Sequence, residues 1–347
     1  MPHSLTLTDQ QRGWRITDPI LRLRDLATGR LYPLPDPGSH GTGSILGAAD
    51  GPLQLHDPTG RISRQHAHLA WDGAHWMLRD LDSKNGLWID GIRRREAELS
   101  PGLELGLGGL ILLVESAALL RLHSLVTRLL GWGEAHRRDA DRALSSLRRA
   151  AHLHASLILC GEGDLVPIAR RLHRETLGAH RPFITCGPGD RALPLLRRAG
   201  DGTLCLSAAE PPRDLASTID ALRTTSSLAR LVTCTPAAGD ASPIGALLGP
   251  TAWLELPPLA ARPDELPRLL AEAAADAAAE LARPFAPLRT GDLAQLASLR
   301  FAGLADLHDT ARRLVVLRLL GVTAGATHLG ITHGALSRWA RRRGLGT

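Results

Sequence analysis

Three architectures follow one another along the 347 residues: an all-β sandwich, an α/β segment on a parallel sheet with a helical lid, and a small all-α pair at the C-terminus. Three observations predict that order. From about Pro19 to Ser116, short alternating apolar runs are punctuated by Gly, Pro and Asp, as strands joined by turns are. Further on, strand-like runs alternate with helical ones, which implies parallel strands linked by crossover helices. After Pro257 and Pro258 the apolar spacing is helical throughout.

Taken in order, residues 1–18 form an N-terminal tail and 19–116 the β domain. Its strands are read at ILRLRDL, SILG, LQLHD, HAHLAW, HWMLRDL, LWIDG and LILLVE. A helical connector spans 117–154, with Leu119, Leu122, Leu125, Val126, Leu129 and Leu130 recurring at spacings of three and four. A second connector helix runs through Ala140, Leu144 and Leu147. The α/β core covers 155–256, with strands at LILC (157–160), FITC (183–186), TLCL (203–206) and RLVTCT (230–235). LVPIARRLH and DLASTIDALRTT are the helices between them. The lid, 257–320, holds helices over Leu266 to Ala282, Leu293 to Leu299 and Leu304 to Leu320, and 321–347 holds two short helices around a turn.

Composition narrows the function. Aromatic residues are only 3% of the chain, so the cores are built from Leu, Ala, Val and Ile. The net charge of +6, carried almost wholly by Arg, permits an anionic partner. No charged, apolar leader opens the sequence, and the most apolar stretch, Leu105 to Val114, is too short to cross a bilayer. The four cysteines lie far apart without CxxC spacing, which predicts buried thiols rather than a metal site or disulfide; no cofactor is expected. A reducing cytoplasm and no membrane contact are the expectation.

RISRQHAHL (61–69) followed by WMLRDLDSKNGLWIDG (76–91) resembles the forkhead-associated (FHA) family, whose pattern is SRxHA and then D-x-x-S-x-NG. The resemblance implies a β-sandwich whose loops at one end bind phosphothreonine. It places Ser63 and Arg64 as phosphate donors, Lys84 beside the phosphate and Asn85 on the ligand backbone. Gly86 permits a tight turn and His66 braces the loops. Charge-assisted donors on a rigid frame are what a phosphate requires. One residue departs: where the family has Gly-Arg, this chain has Gly47-Ala48. Arg61, two residues before Ser63, is the candidate substitute. A sandwich that binds protein without needing phosphate is the alternative.

CGEGDLVPIARRLH (160–173), RPFI (181–184), DGTLCL (201–206), RLVTCT (230–235) and LPPLAARPDEL (256–266) resemble, in order, motifs of the AAA+ domain of sigma-54-dependent, NtrC-like activators. The catalytic pieces are missing. The phosphate loop is cut to Gly161-Glu162-Gly163-Asp164 without Lys or a following Ser/Thr. Ser207 and Ala208 stand where the acidic pair belongs, and 237–253 contains no Arg for a finger in trans. No sigma-gripping segment appears between Phe183 and Asp201. The expectation is therefore a core that is not an enzyme. Asp164, Glu210 and His173 read as structural rather than catalytic.

AGATHLGITHGALSRWARRRG (324–344) resembles the Fis-type helix-turn-helix that closes NtrC-like activators. Leu329, Ile331, Leu336 and Ala340 would pack, and Gly330 would take a left-handed turn. Thr332, His333, Ser337, Arg338 and Arg341 would then face a major groove, with Arg342 and Arg343 on phosphates. The resemblance implies a homo-oligomeric transcriptional regulator that binds a phosphothreonine protein through the FHA domain and double-stranded DNA through its C-terminus. The alternative is an FHA signalling scaffold that does not bind DNA.

Overall fold

The computed structural model describes residues 19–36, 43–152, 155–224, 229–236, 244–248, 251–282 and 290–345. The expected tail, 1–18, and most of the span 237–250 lie outside the described residues. The chain divides into two units, Met1–Ser124 and Leu125–Thr347. That division falls inside helix α1, Ala117–Leu130.

In the first unit, eleven strands form two sheets. One has the order β2-β1-β11-β10-β7-β8, from Leu31–Pro33, Ile20–Asp25, Leu110–Ser116, Glu104–Leu107, Leu87–Ile89 and Ile92–Arg94. The other has the order β4-β3-β5-β6-β9, from Leu53–Gln54, Ser44–Gly47, Ala67–Trp71, Trp76–Asp80 and Glu96–Glu98. Alternation decides which side chains go in. Leu46, Ala67, Leu69 and Leu78 come from one sheet, and Leu23, Leu87, Leu105, Leu107, Leu112 and Val114 from the other; all are buried in one core. Fully burying a Leu stabilises by ~1.5–3 kcal/mol, and a one-residue slip would turn each strand's set outward.

Every expected strand of this unit is present. Four further short ones were not legible: β2, β8, β9 and β10. β8 reads Ile-Arg-Arg and is exposed throughout, so it has no apolar alternation to betray it. β10 does alternate, with Leu105 and Leu107 buried, but it shares one apolar stretch with β11 and with Gly106, Gly108 and Gly109, so only the second half of that stretch reads as a strand.

In the second unit, α2 (Glu134–His152) packs on the parallel sheet at β12 and β16 and against helix α3. The sheet order is β13-β14-β15-β12-β16, from Phe183–Thr185, Thr203–Ser207, Arg230–Thr235, Ser156–Cys160 and Thr251–Glu255. All four pairings are parallel. α3 (Val166–Leu177), α4 (Ala192–Ala199) and α5 (Leu215–Thr224) lie between the first four strands in sequence. Two elements escape the sequence pattern. α4 is eight residues long and contains Pro194, and β16 is five residues ending just before Leu256-Pro257-Pro258.

The lid comprises α6 (Leu266–Glu280), α7 (Thr290–Ala297) and a long segment α8 (Leu304–His328). Gly321, at φ 73° and ψ −179°, breaks α8 into two helices. After it come a turn and α9 (His333–Arg342). No described helix is long and apolar enough to cross a membrane.

Candidate functional site

At one end of the sandwich, three loops are tied together by hydrogen bonds that fix the expected ligand groups. The loop after β3 is clamped to the loop before β5: the Ala48 and Ala49 amides donate to the Ser63 and Arg64 carbonyls, both at 3.1 Å. Gly47 is required there, because a Cβ would lie 2.1 Å from the Arg64 carbonyl oxygen. The Lys84 amide donates to Ser63 Oγ at 3.1 Å, and Asn85 Nδ2 donates to the Arg61 carbonyl at 2.7 Å. His66 is fully buried beneath them. Its Nδ1 accepts from the Ser63 amide (3.2 Å) and its Nε2 donates to the Gly86 carbonyl (3.1 Å), which sets the tautomer. The bracing role expected of His66 is what the geometry gives.

A second layer holds these loops. Ser83 Oγ donates to Asp80 at 2.6 Å and accepts from the Gly86 amide at 3.0 Å. Asp57 caps the loop before Ser63, accepting from the amides of Thr59 (3.0 Å) and Ile62 (2.5 Å). Burial opposes ionisation of Asp57, but the Ile62 amide and the Thr59 hydroxyl and amide outweigh it and hold the carboxyl below its ordinary range. Arg64, Lys84, Asn85 and Arg61 are exposed and Ser63 is half-buried. The stem of Arg61 runs toward the β10–β11 turn, its Cδ 3.9 Å from where a Gly109 Cβ would be. Lys84 is the only lysine in the chain.

In the second unit, loop 161–164 follows β12, at the carboxyl edge of the sheet where its strand order switches. It is packed against the chain's own lid. A Cβ on Gly163 would meet the Ala302 carbonyl oxygen at 2.6 Å, and one on Gly303 would meet the Glu162 carbonyl oxygen at 2.3 Å. Two backbones thus approach across a pair of glycines, leaving a small cleft lined by Glu162, Leu256, Pro257, Leu259, Gly303 and Leu304. Asp164 Oδ1 accepts from the Val166 amide at 3.0 Å, at the start of α3. Ser207 ends β14 exposed.

His173 is buried, bonded to Thr203 Oγ1 (2.8 Å) and to the Arg181 carbonyl (3.0 Å). Burial pushes its pKa down against the Arg181 hydrogen bond, and the charges of Arg230 and Arg170 push the same way. Both ring nitrogens are thus bonded within the fold. Among the described residues, no group of three His, Cys, Asp or Glu side chains is placed to hold a metal.

At the C-terminus, Leu336, Trp339 and Ala340 bury one face of α9, with Leu329 and Ile331 half-buried beside them. Gly330 takes φ 67° in the turn, as expected. The Thr332 side chain accepts from the Ala335 amide at 3.2 Å and caps the helix. His333, Arg338, Arg341 and Arg342 are exposed on α9 and Ser337 is half-buried. Arg343 behaves differently: its guanidinium lies 5.5 Å from the Trp339 ring centroid and 3.7 Å from Asp306. Its carbonyl accepts from Gln295 at 3.1 Å.

Residues 43–108 match the family profile of the FHA domain. The first unit carries an FHA domain. A solved structure described as phosphothreonine-dependent FHA domain interactions is 31% identical over 28% of this chain and 97% of that chain, with a TM-score of 0.25. EmbR of Mycobacterium tuberculosis, in complex with a low-affinity phosphopeptide, is 26% identical over 28% of this chain and 24% of that one, with a TM-score of 0.25. Over a longer stretch the chain is similar to NtrX of Brucella abortus in complex with ADP: 15% identity, 65% of this chain, 72% of that chain, TM-score 0.39. No curated protein matches the chain.

Within the FHA domain, the structure assembles Ser63, Lys84 and Asn85 through direct bonds between their loops, while Arg61 joins them through its backbone. One residue of this end had no signal in the motif. Arg93 of β8 lies against Gly86, its Nε 2.5 Å from where a Cβ would stand. It sits in a strand too short and too polar to be read from sequence.

Proposed function

We propose that this protein is a transcriptional regulator: its FHA domain binds a phosphothreonine-bearing protein, its α/β core is an assembly scaffold without ATPase activity, and its C-terminal helices bind DNA. The observation that carries the first part is the bonded set of Ser63, Lys84 and Asn85 at the loop end, with Arg64 and Arg61 exposed beside it. A phosphate reaching Ser63 meets a hydroxyl already oriented by the Lys84 amide. Amine-reactive labelling tests this directly, since Lys84 is the only lysine. A phosphothreonine peptide should protect Lys84, and its unphosphorylated twin should not. Equal labelling with both peptides would reject phosphate recognition.

An inactive core is supported by the loop chemistry and by its packing. The loop has no Lys to reach phosphate oxygens, and Gly163 and Gly303 bring the lid backbone against it. Calorimetry with Mg²⁺ and ATP should detect no saturable binding at micromolar concentration. Tight Mg²⁺-dependent binding would overturn this part.

DNA binding is supported by the exposed row His333, Arg338, Arg341 and Arg342 on a capped helix packed behind a left-handed turn. One short helix has little interface, so a dimer or larger homo-oligomer on a near-palindromic site is the expected complex. Fluorescence titration of the full chain against random and selected duplexes at two salt concentrations is the test. Absence of sequence preference at both would leave the scaffold reading, in which the chain acts through protein contacts without DNA.

A further inference from the structure

The FHA loop end carries a guanidinium that the phosphate reading does not use. Arg93 is exposed on edge strand β8, directly opposite Trp88 on β7. The indole of Trp88 is itself fixed to the loop, its Nε1 donating to the Asn85 carbonyl at 3.0 Å. Gly86, which has no side chain and a positive φ of 73°, leaves the space that the Arg93 guanidinium fills. Among the described residues, no carboxylate is bonded to Arg93, whereas arginines elsewhere, such as Arg128 and Arg318, are paired with acids.

We infer that Arg93 supplies a second anion contact for the phosphopeptide, holding a carboxylate or a further phosphate that the ligand carries beyond its phosphothreonine. This rests on the phosphopeptide reading and deepens it. The Lys84 amide is bonded to Ser63, Asn85 follows it as the residue expected on the ligand backbone, and Arg93 packs on Gly86, the next residue of the same loop. Two residues of extended chain span roughly 7 Å, so an anionic group a short way along a bound peptide falls within reach of Arg93. A planar guanidinium with free donors takes either anion in the same bidentate way. It also adds one positive charge to the loop end, where Ala48 stands in place of an Arg.

The test uses the full chain and synthetic phosphothreonine peptides. Each flanking position is scanned in turn with Asp, phosphoserine, Ala and Lys, and binding is read by fluorescence anisotropy. An anion at one flanking position should tighten binding by roughly tenfold over Ala, the size of one charge-assisted hydrogen bond. Comparing Asp with phosphoserine there decides which anion is preferred. Arg93→Ala should erase that preference while dependence on phosphothreonine remains, Arg93→Lys should keep part of it, and Arg93→Glu should favour Lys at the same position. If the Ala variant unfolds, as thermal melting would show, the Lys and Glu variants carry the comparison. Phosphate-dependent binding with an anion preference that survives Arg93→Ala and Arg93→Glu, or with no preference at all, overturns the assignment of Arg93 alone. Binding that ignores phosphothreonine overturns the underlying reading, and Arg93 with it.

Discussion

Restoring a guanidinium at position 48 should strengthen phosphopeptide binding, but only modestly. The Ala48 amide is hydrogen-bonded to the Ser63 carbonyl, so a side chain at 48 starts beside the phosphate-facing loop. Ala48 itself rests on the rim of the sandwich core. The Arg stem would lie over that rim with its head in solvent. A hydrogen bond to a charged group contributes ~1.5–3 kcal/mol. Ordering a free Arg side chain costs up to ~1.5–2 kcal/mol. The difference is about 1 kcal/mol, or roughly a fivefold gain in affinity. Fluorescence anisotropy of wild type and Ala48→Arg with a phosphothreonine peptide and its unphosphorylated twin measures it. The gain should be confined to the phosphorylated peptide and should shrink as salt rises. Equal tightening for both peptides, or none for either, would refute the placement of position 48 at the phosphate.

Three further outcomes follow from the second unit. Gly303→Ala forces a Cβ to within 2.3 Å of the Glu162 carbonyl oxygen at φ 152°. Strain and overpacking together should destabilise the unit by roughly 3–5 kcal/mol in urea unfolding. Gly291→Ala, in the first turn of α7 with open space around it, should be neutral or stabilising by up to ~1 kcal/mol, and equal effects of the two would deny the closure. Burial, then the charges of Arg171 and Arg128, lower the pKa of His308 to about 4 despite Asp276, so between its ordinary 6.5 and that value the unfolded chain binds more protons. Stability present above pH 6.5 should therefore fall by on the order of 2–3 kcal/mol as pH drops to about 4. His308→Met should flatten that slope, and an unchanged slope would assign it to other groups. Arg338→Ala should cost ~1–3 kcal/mol at a specific duplex if it reads a guanine. Arg342→Ala should weaken all duplexes alike and reduce the salt slope by about 1. Arg343→Ala should lower the melting temperature as well, because that guanidinium is held by Trp339 and Asp306.

Much of the architecture was legible before any coordinate. The strands of the sandwich announce themselves because alternate residues such as Leu46, Leu69 and Leu78 are apolar, and the period of a half-buried strand is two. Motif spacing located the loop containing Ser63 and the one containing Lys84 and Asn85. The turn at Gly330 was readable because glycine takes a left-handed conformation readily. Elements without a periodic apolar face, β8 above all, left no trace.

The sequence by itself determined which chemistry is present: an FHA loop set with Ala48 in its Gly-Ala pair, a Gly-Glu-Gly-Asp loop without Lys, and arginines gathered at the end of the chain. Tertiary structure alone decided which of those groups meet. It set Arg93 against Gly86 from a neighbouring strand, closed loop 161–164 with Gly303 from 140 positions further along, and turned Arg343 back onto Trp339. The reason is physical. Spacing along a chain reports neighbours on one helix or strand. Contacts between elements depend on sheet register and on where a missing side chain leaves room, and neither is written in any local run of residues.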